Sequence, residues 1–480
     1  MRFVRFVCST LLFVALSLPC AAQAETCVGD CNNDSKVTVD ELLTMVNIAL
    51  GNNPLAACEA GDRNGDLGIT IDEILIAVNH ALGTCAESPL DEGLYATARG
   101  DLRSASAAFG RAVAASPGDH QARLFAAIAH AVVHVVDSPA AADLLGRAGG
   151  VIQGDSRAVC DLDASLPRPV SANAPSTAEF LTAIRTDLIP EVEAVLAEIR
   201  NWPADVQIRF SVADLPECIR PDTDKTVVEV DRGDLLAMES GLELILFLSD
   251  LFDGYNTNVS LHTLVEDSVR TIVQGNPQLL TLVSADRLHS ARDHLRTAMG
   301  KIVDAIDEIR AETDNQDDDL LVIDSDDVND ARKLRLVLTL AQEALSHEVS
   351  LPIDVVTGEI DLLDIGLGAH ERLNLDRFFS GSLASLRPLL PPFDAEGEFD
   401  TSQLPDPTFG GMAPDMTQSK VDHFLEGGPP CAVCTSDRDC DALGFGSFYC
   451  GYCAYFSSPC TGEQRRCSDG FTQCSDGTFF

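Results

Sequence analysis

Residues 30–41 read DCNNDSKVTVDE and residues 62–73 read DRNGDLGITIDE, so one twelve-residue pattern occurs twice, offset by 32 positions. Both copies place oxygen-bearing side chains at the first, third, fifth and ninth places and close with glutamate. Such a set suits a hard cation that takes six to eight oxygen ligands, and Ca²⁺ is the ion that prefers it. The first copy offers Asp30, Asn32, Asp34, Thr38 directly or through water, and bidentate Glu41, with the Lys36 carbonyl as a further ligand. The second offers Asp62, Asn64, Asp66, Thr70 and Glu73, with the Gly68 carbonyl. Asp, Asn and Thr also favour turns and helix starts for reasons of their own. Repetition of the whole ligand spacing selects the metal reading over a pair of acidic turns.

Each copy leads into an apolar run at helical spacing: Leu42, Leu43, Val46, Ile48 and Leu50 after the first, Ile74, Leu75, Val78 and Leu82 after the second. Gly51 and Gly83 are placed to stop these helices. Residues 27–85 thereby resemble the EF-hand family, and more closely the type I dockerin modules, which carry two copies of a loop followed by one helix. The resemblance implies a Ca²⁺-stabilised module, with a short β-bridge between Val37 and Ile69 at the eighth loop position. Two places depart from the family. Ser35 and Leu67 stand at the sixth position, where Gly normally makes a sharp turn, and Glu closes the loop where dockerins usually have Asp. The first departure bears on ion affinity, the second on cohesin recognition. Cys27, Cys31, Cys58 and Cys85 are placed to staple a module too small to bury much core, through any of three pairings.

The chain opens with Arg2 and Arg5, an apolar stretch over 6–18 and the run Ala22-Gln23-Ala24. That is the pattern of a secretory signal peptide, with the mature protein expected to begin at Glu25. Pro19 before Cys20 departs from the small residue that precedes an acylated cysteine in lipoprotein signals. An exported chain, at the cell surface, in the periplasm or outside the cell, is expected to hold its remaining cysteines as disulfides. Asp and Glu number 75 against 33 Lys and Arg, which argues against nucleic acid and anionic membrane as partners. No transmembrane segment is expected in the mature chain. The nearest candidate, 235–252, contains Glu239, Glu243 and Asp250 and reads as a buried or half-buried helix of a soluble fold.

Beyond the linker 86–90, Gly93, Gly100, Asp101, Leu102, Ala105, Phe109, Ala112 and Pro117 resemble one tetratricopeptide repeat over 93–117, and 120–136 supplies a following helix. On that helix His130 and His134 are four apart, a spacing able to bind Zn²⁺, but Ala and Val all round favour ordinary packing. From 176 onward Ser176-Thr177-Ala178-Glu179 forms a capping box before Phe180, Leu181, Ile184, Leu188, Val192, Leu196 and Ile199. Further helices are expected over about 232–253, 262–273, 286–312 and 325–348, the last two as an antiparallel pair, with short strands at 206–212 and 226–230. Cys160 and Cys218 are placed to pair. The acidic turn 314–319, with Asp324, Asp326 and Asp327, reads as a solvated connector rather than a cation site.

Residues 431–474 hold eight cysteines, of which Cys431, Cys434, Cys450 and Cys453 have zinc-ribbon spacing. The exported compartment favours a disulfide module instead. Phe445, Phe448, Tyr449, Tyr452, Tyr455 and Phe456 are expected to pack over those disulfides.

The fold class is thus mainly α and multidomain. It comprises a signal peptide (1–24), an EF-hand/dockerin-like loop-helix pair (25–86), a tetratricopeptide-like hairpin (87–147), a mostly helical domain with a few short strands (148–425) and a small disulfide-rich module (426–480). Nucleophile elbows, phosphate loops and zinc-protease helices are missing from the sequence, so the favoured function is Ca²⁺ binding by a non-enzymatic interaction or scaffold protein with a protein or glycan partner at the cell surface. The alternative is a secreted polysaccharide-active enzyme carrying a dockerin-like module, for which no catalytic residue stands out among so many acids.

Overall fold

The computed structural model describes residues 27–32, 36–63, 67–82, 88–148, 170–215, 225–313, 318–323, 327–350, 372–395, 397–418 and 421, and the backbone of 433–434, 449–451 and 465–468. The described chain is mainly helical, with a few short strands. Contacts divide it into two units. One gathers residues up to Ala174 with Thr182–Leu235 and Thr313–Leu320; the other gathers Pro175–Leu181, Leu236–Glu312 and the chain from Leu321 onward. Among the described residues no single helix is long and apolar enough to cross a membrane.

The first unit opens with α1 (Val39–Ala49) and α2 (Ile71–Leu82), which follow the two acidic loops. Then come α3 (Pro89–Ala98), α4 (Leu102–Ala115), α5 (His120–Val136) and α6 (Pro139–Ala148). All four of these helices start on a side-chain cap: Ser88 accepts from the Asp91 amide, Asp101 from Ser104, Asp119 from Ala122 and Ser138 from Ala141. Phe109 is fully buried, and a Cβ at Gly93 would lie 2.4 Å from its ring, so Gly93 is what lets α3 close on α4. Phe125 of α5 stacks on Phe109 at 5.4 Å between ring centroids and meets Phe210 edge-on.

The pattern from Phe180 to Ile199 reads as one helix, yet the structure breaks it. α7 (Thr177–Ala183) passes through a π-helical turn, Ile184–Leu188, into α8 (Ile189–Ile199). Pro190 has no N–H for the Thr186 carbonyl, and the Thr186 hydroxyl donates back to the Thr182 carbonyl at 3.0 Å. Both effects loosen the backbone ladder where the helix widens. α8 buries Val192, Val195, Leu196 and Ile199. Strands β1 (Ile208–Ser211) and β2 (Val227–Val230) pair antiparallel, Ile208 opposite Val230.

A long helix α9 (Arg232–Gly254) leads into the second unit, whose other helices are α10 (Leu261–Glu266), α11 (Val269–Gly275), α12 (Ala285–Ala311), α13 (Val328–Ala344) and α14 (Asp376–Phe379). The helix expected over 262–273 is in fact two, because Ser268 caps a new start by accepting the Thr271 amide. α12 and α13 run antiparallel, with Arg335 on Asp307 at one end and Gln342 on the Arg296 carbonyl at the other. Short strands β3 (Val349–Ser350) and β4 (Arg372–Leu373) pair beside them. In the C-terminal region β5 (Val433–Cys434), β6 (Tyr449–Gly451) and β7 (Arg465–Ser468) form a sheet of order β5-β7-β6. The Cys160–Cys218 pair and the side chains of the cysteine-rich tail lie outside the described residues.

Candidate metal centre

The two acidic loops are built alike. Thr38 and Thr70 stand just before α1 and α2, and each gives its amide to the glutamate three places on, at 2.8 Å in both loops. Each also gives its hydroxyl, at 2.8 Å from Thr38 and 3.1 Å from Thr70. Threonine followed three places on by glutamate is a helix-start signature by itself. The glutamates do more than cap, because the second carboxylate oxygen reaches back across the loop. Glu41 Oε1 accepts the Asn32 amide at 3.3 Å, and Glu73 Oε1 accepts the Arg63 amide at 2.6 Å. Each glutamate therefore ties the exit of its loop to the entrance.

These tied carboxylates are inside the protein. Asp30, Glu41 and Glu73 are exposed to only 4, 7 and 3 %. Burying carboxylate is unfavourable unless hydrogen bonds or a cation compensate. Asp62, the first residue of the second loop, takes the Leu67 amide on Oδ2 at 2.9 Å. At this turn the sixth position is in the left-handed region, where Leu67 sits with φ +69° although it is not glycine. The turn that glycine would make freely is thus made by leucine under strain.

Of the remaining expected ligands, Asn32, Lys36 and Thr38 lie on the exposed rim of the first loop, and Gly68 and Thr70 follow the Leu67 turn in the second. Asp34, Asn64 and Asp66 fall outside the described residues. The described donors are all oxygens, as a hard divalent cation requires.

Behind the loops, Val37 and Ile69 do not form the expected β-bridge; both are buried in one cluster with Met45, Ile48 and Ala77. Gly29 and Gly61 precede the two loops, and neither was picked out by the ligand pattern. A Cβ at Gly29 would lie 2.6 Å from the Ala77 Cβ, and one at Gly61 would lie 2.7 Å from Ile69 Cδ1. The Gly29 amide donates to the Ala60 carbonyl at 3.1 Å, joining the two repeats at their entrances. The matching Gly-Asp dipeptides, 29–30 and 61–62, are the signal that marks these positions. A Cys31–Cys58 disulfide closes the same region, and Cys27 is also disulfide-bonded.

The apolar faces of α1 and α2 differ from the sequence pattern. Leu43, Leu50, Leu75 and Leu82 point outward, at 55, 70, 56 and 83 % exposure, while Met45 and Ala77 are fully buried. With Val39 and Ile71, the outward residues form three pairs, each offset by the repeat length of 32: Val39 with Ile71, Leu43 with Leu75, Leu50 with Leu82.

A second acidic cluster lies in the same unit. Of the acidic turn expected to be solvated, residues 314–317 lie outside the described residues, but Asp319 is buried, and Glu229, Asp318 and Asp319 bring carboxylate oxygens within 4.8 Å of one another. Arg209 contacts both Glu229 and Asp318, and Lys225 donates to the Asp319 carbonyl at 2.5 Å. These side chains already supply positive charge to the cluster.

Comparison with known protein families, curated proteins and solved structures found no match to this chain.

Proposed function

We propose that this chain is an exported Ca²⁺-binding interaction protein whose N-terminal module is a dockerin-like EF-hand pair. The observation that carries the reading is the equivalence of the two loops. In each, a buried glutamate at the twelfth position binds the ninth residue and reaches back to the loop entrance. The ions would be held by Asp30, Asn32, Asp34, Thr38, Glu41 and the Lys36 carbonyl, and by Asp62, Asn64, Asp66, Thr70, Glu73 and the Gly68 carbonyl. Bound Ca²⁺ supplies the positive charge that offsets the cost of burying Asp30, Glu41 and Glu73.

An interaction role is supported by the three repeat-related pairs of exposed aliphatic residues, because apolar side chains concentrated on a small exposed surface commonly mark a contact with another protein. The helical hairpin α3–α4, with Gly93 packed against Phe109, is consistent with a tetratricopeptide-like element beside the module.

Calorimetric Ca²⁺ titration of the full mature chain, beside an Asp30→Ala/Asp62→Ala double variant, tests the reading. Two saturable binding events in the wild type and neither in the variant are the expected result. Equal binding by both proteins would mean that Ca²⁺ associates only with the general acidic surface.

A further inference from the structure

His130 and His134 sit one turn apart on α5 with side chains 68 and 48 % exposed, not packed as their Ala- and Val-rich surroundings suggested. α5 buries Ala122, Leu124, Ala129 and Val136 instead, which leaves both imidazoles on an open face. The third group at that face comes from a distant part of the sequence. Glu191 on α8 is largely buried, and it sets Oε2 3.8 Å from His130 Nε2 and Oε1 3.8 Å from His134 Nδ1. These separations are too long for hydrogen bonds. Each histidine faces its own oxygen of Glu191, so as placed the three groups do not bring one donor apiece to within 4.8 Å of one another, whereas a tetrahedral zinc about 2.0–2.1 Å from each donor spaces its ligands about 3.4 Å apart.

The geometry points to a Zn²⁺ site formed by His130, His134 and Glu191, which ties α5 to α8 and is distinct from the oxygen-only loops. The two imidazole centroids are 6.3 Å apart, and closing them on one ion requires both exposed side chains to rotate, which their open face allows. The helices themselves are already fixed. Arg123 of α5 binds Glu198 of α8 at 2.6 Å, and Ser138 after α5 binds Asp187 in the π-helical turn. Glu191 lies between these two anchors, so its position against the histidines is imposed by the fold. The π-helical turn itself, Ile184–Leu188, directly precedes α8, and such turns are frequent at functional sites. Two nitrogens and one carboxylate suit a borderline-soft ion better than Ca²⁺, and the fourth position faces solvent.

The test uses the full mature protein, stripped of metal by a chelator and then held in saturating Ca²⁺. Zn²⁺ is titrated by calorimetry, with Co²⁺ as a spectroscopic substitute. One Zn²⁺ per chain is expected, with Co²⁺ giving the intense visible bands of a four-coordinate site. His130→Gln/His134→Gln and, separately, Glu191→Gln are expected to weaken that step by about 100-fold or more, beyond the cost of losing an outer-shell partner. Equal Zn²⁺ affinity in wild type and the double-histidine variant would overturn the proposal and leave a simple histidine–carboxylate contact. An Asp30→Ala/Asp62→Ala chain should keep the Zn²⁺ step, so this site and the calcium reading fail independently. Unchanged helical circular dichroism in each variant shows that loss of binding is not loss of fold.

Discussion

Lys301 on α12 places its ammonium nitrogen 2.7 Å from Oε2 of Glu239 on α9, whose side chain is fully buried. Further ion pairs join these antiparallel helices. Glu243 meets His294 at 2.6 Å, and Asp250 meets Arg287 at 2.7 Å, His294 also lying 3.9 Å from Asp250. α12 thus answers each of the three acids that a nearly membrane-length apolar run carries into the interior. Removing one member of a buried pair strands the other's charge, at a cost of about 3–5 kcal/mol. Lys301 keeps partial contact with solvent, so Lys301→Met is expected to destabilise the second unit by roughly 3 kcal/mol, near the lower end of that range. Adding Glu239→Leu in the same chain should restore most of the loss. Denaturant unfolding of both single variants and the double variant measures the coupling; additive penalties would show that the pair is screened.

The strained turn of the second loop gives a change of opposite sign. Leu67 is 82 % exposed and packs against little, so its left-handed backbone is a cost without a compensating contact. Leu67→Gly is expected to stabilise the module by about 0.5–1 kcal/mol, the relief of strain less the extra chain entropy of glycine. Ca²⁺ affinity should rise with it, because the loop is held closer to its binding shape. Leu67→Ala keeps the strain and is expected to be neutral. Thermal melts with and without Ca²⁺ separate the three proteins.

Asp406 organises the Pro- and Gly-rich turn over 405–411. Its carboxylate accepts the Thr408 hydroxyl at 2.5 Å and the Thr408 and Gly410 amides at 2.9 and 2.8 Å. The Thr408 hydroxyl, then the two amides, hold its pKa below the ordinary 3.8. A carboxyl with a depressed folded-state pKa adds stability above its unfolded value, and that stability is lost as pH falls through the folded value. Asp406→Asn should therefore be less stable than wild type at neutral pH, and the gap should close as pH falls below 3.8. Urea unfolding at a series of acidic pH values reads the gap directly; a constant difference would contradict the assignment.

The sequence made the helical class legible because its apolar spacing is long-range and regular, and the capping box of Ser176 with Glu179 stands in the structure as local rules require. What it could not show were contacts between residues far apart in the chain. Glu191 facing His130 and Lys301 facing Glu239 depend on which helices are neighbours, and no local pattern records that. The π-helical turn was hidden for a related reason, since the apolar positions from Phe180 to Ile199 fit an unbroken helix. Of the pairings open to Cys27, Cys31, Cys58 and Cys85, spacing selected none, whereas the fold joins Cys31 to Cys58.

The helices after the loops show the limit of apolar patterning most clearly. On α1 the polar stripe Asp40, Thr44 and Asn47 is narrow, and Leu42, Leu43, Met45, Val46 and Ile48 spread over the rest of the surface, so the apolar pattern alone did not say which of them turn inward. The structure puts Met45 at 0 % exposure and Leu43 at 55 %, with Leu75 at 56 % in the second repeat. Met45→Ala should therefore cost about 2–5 kcal/mol, the price of an unfilled space between Gly61, Val37 and Ala77. Leu43→Gln and Leu75→Gln should each stay within about 0.5 kcal/mol of wild type and leave Ca²⁺ binding unchanged. Denaturant midpoints and Ca²⁺ titrations on the three variants check the assignment. A large loss at Leu43 or Leu75 would show that these side chains are covered in the folded protein, and the exposed aliphatic pairs would then offer no surface to a partner.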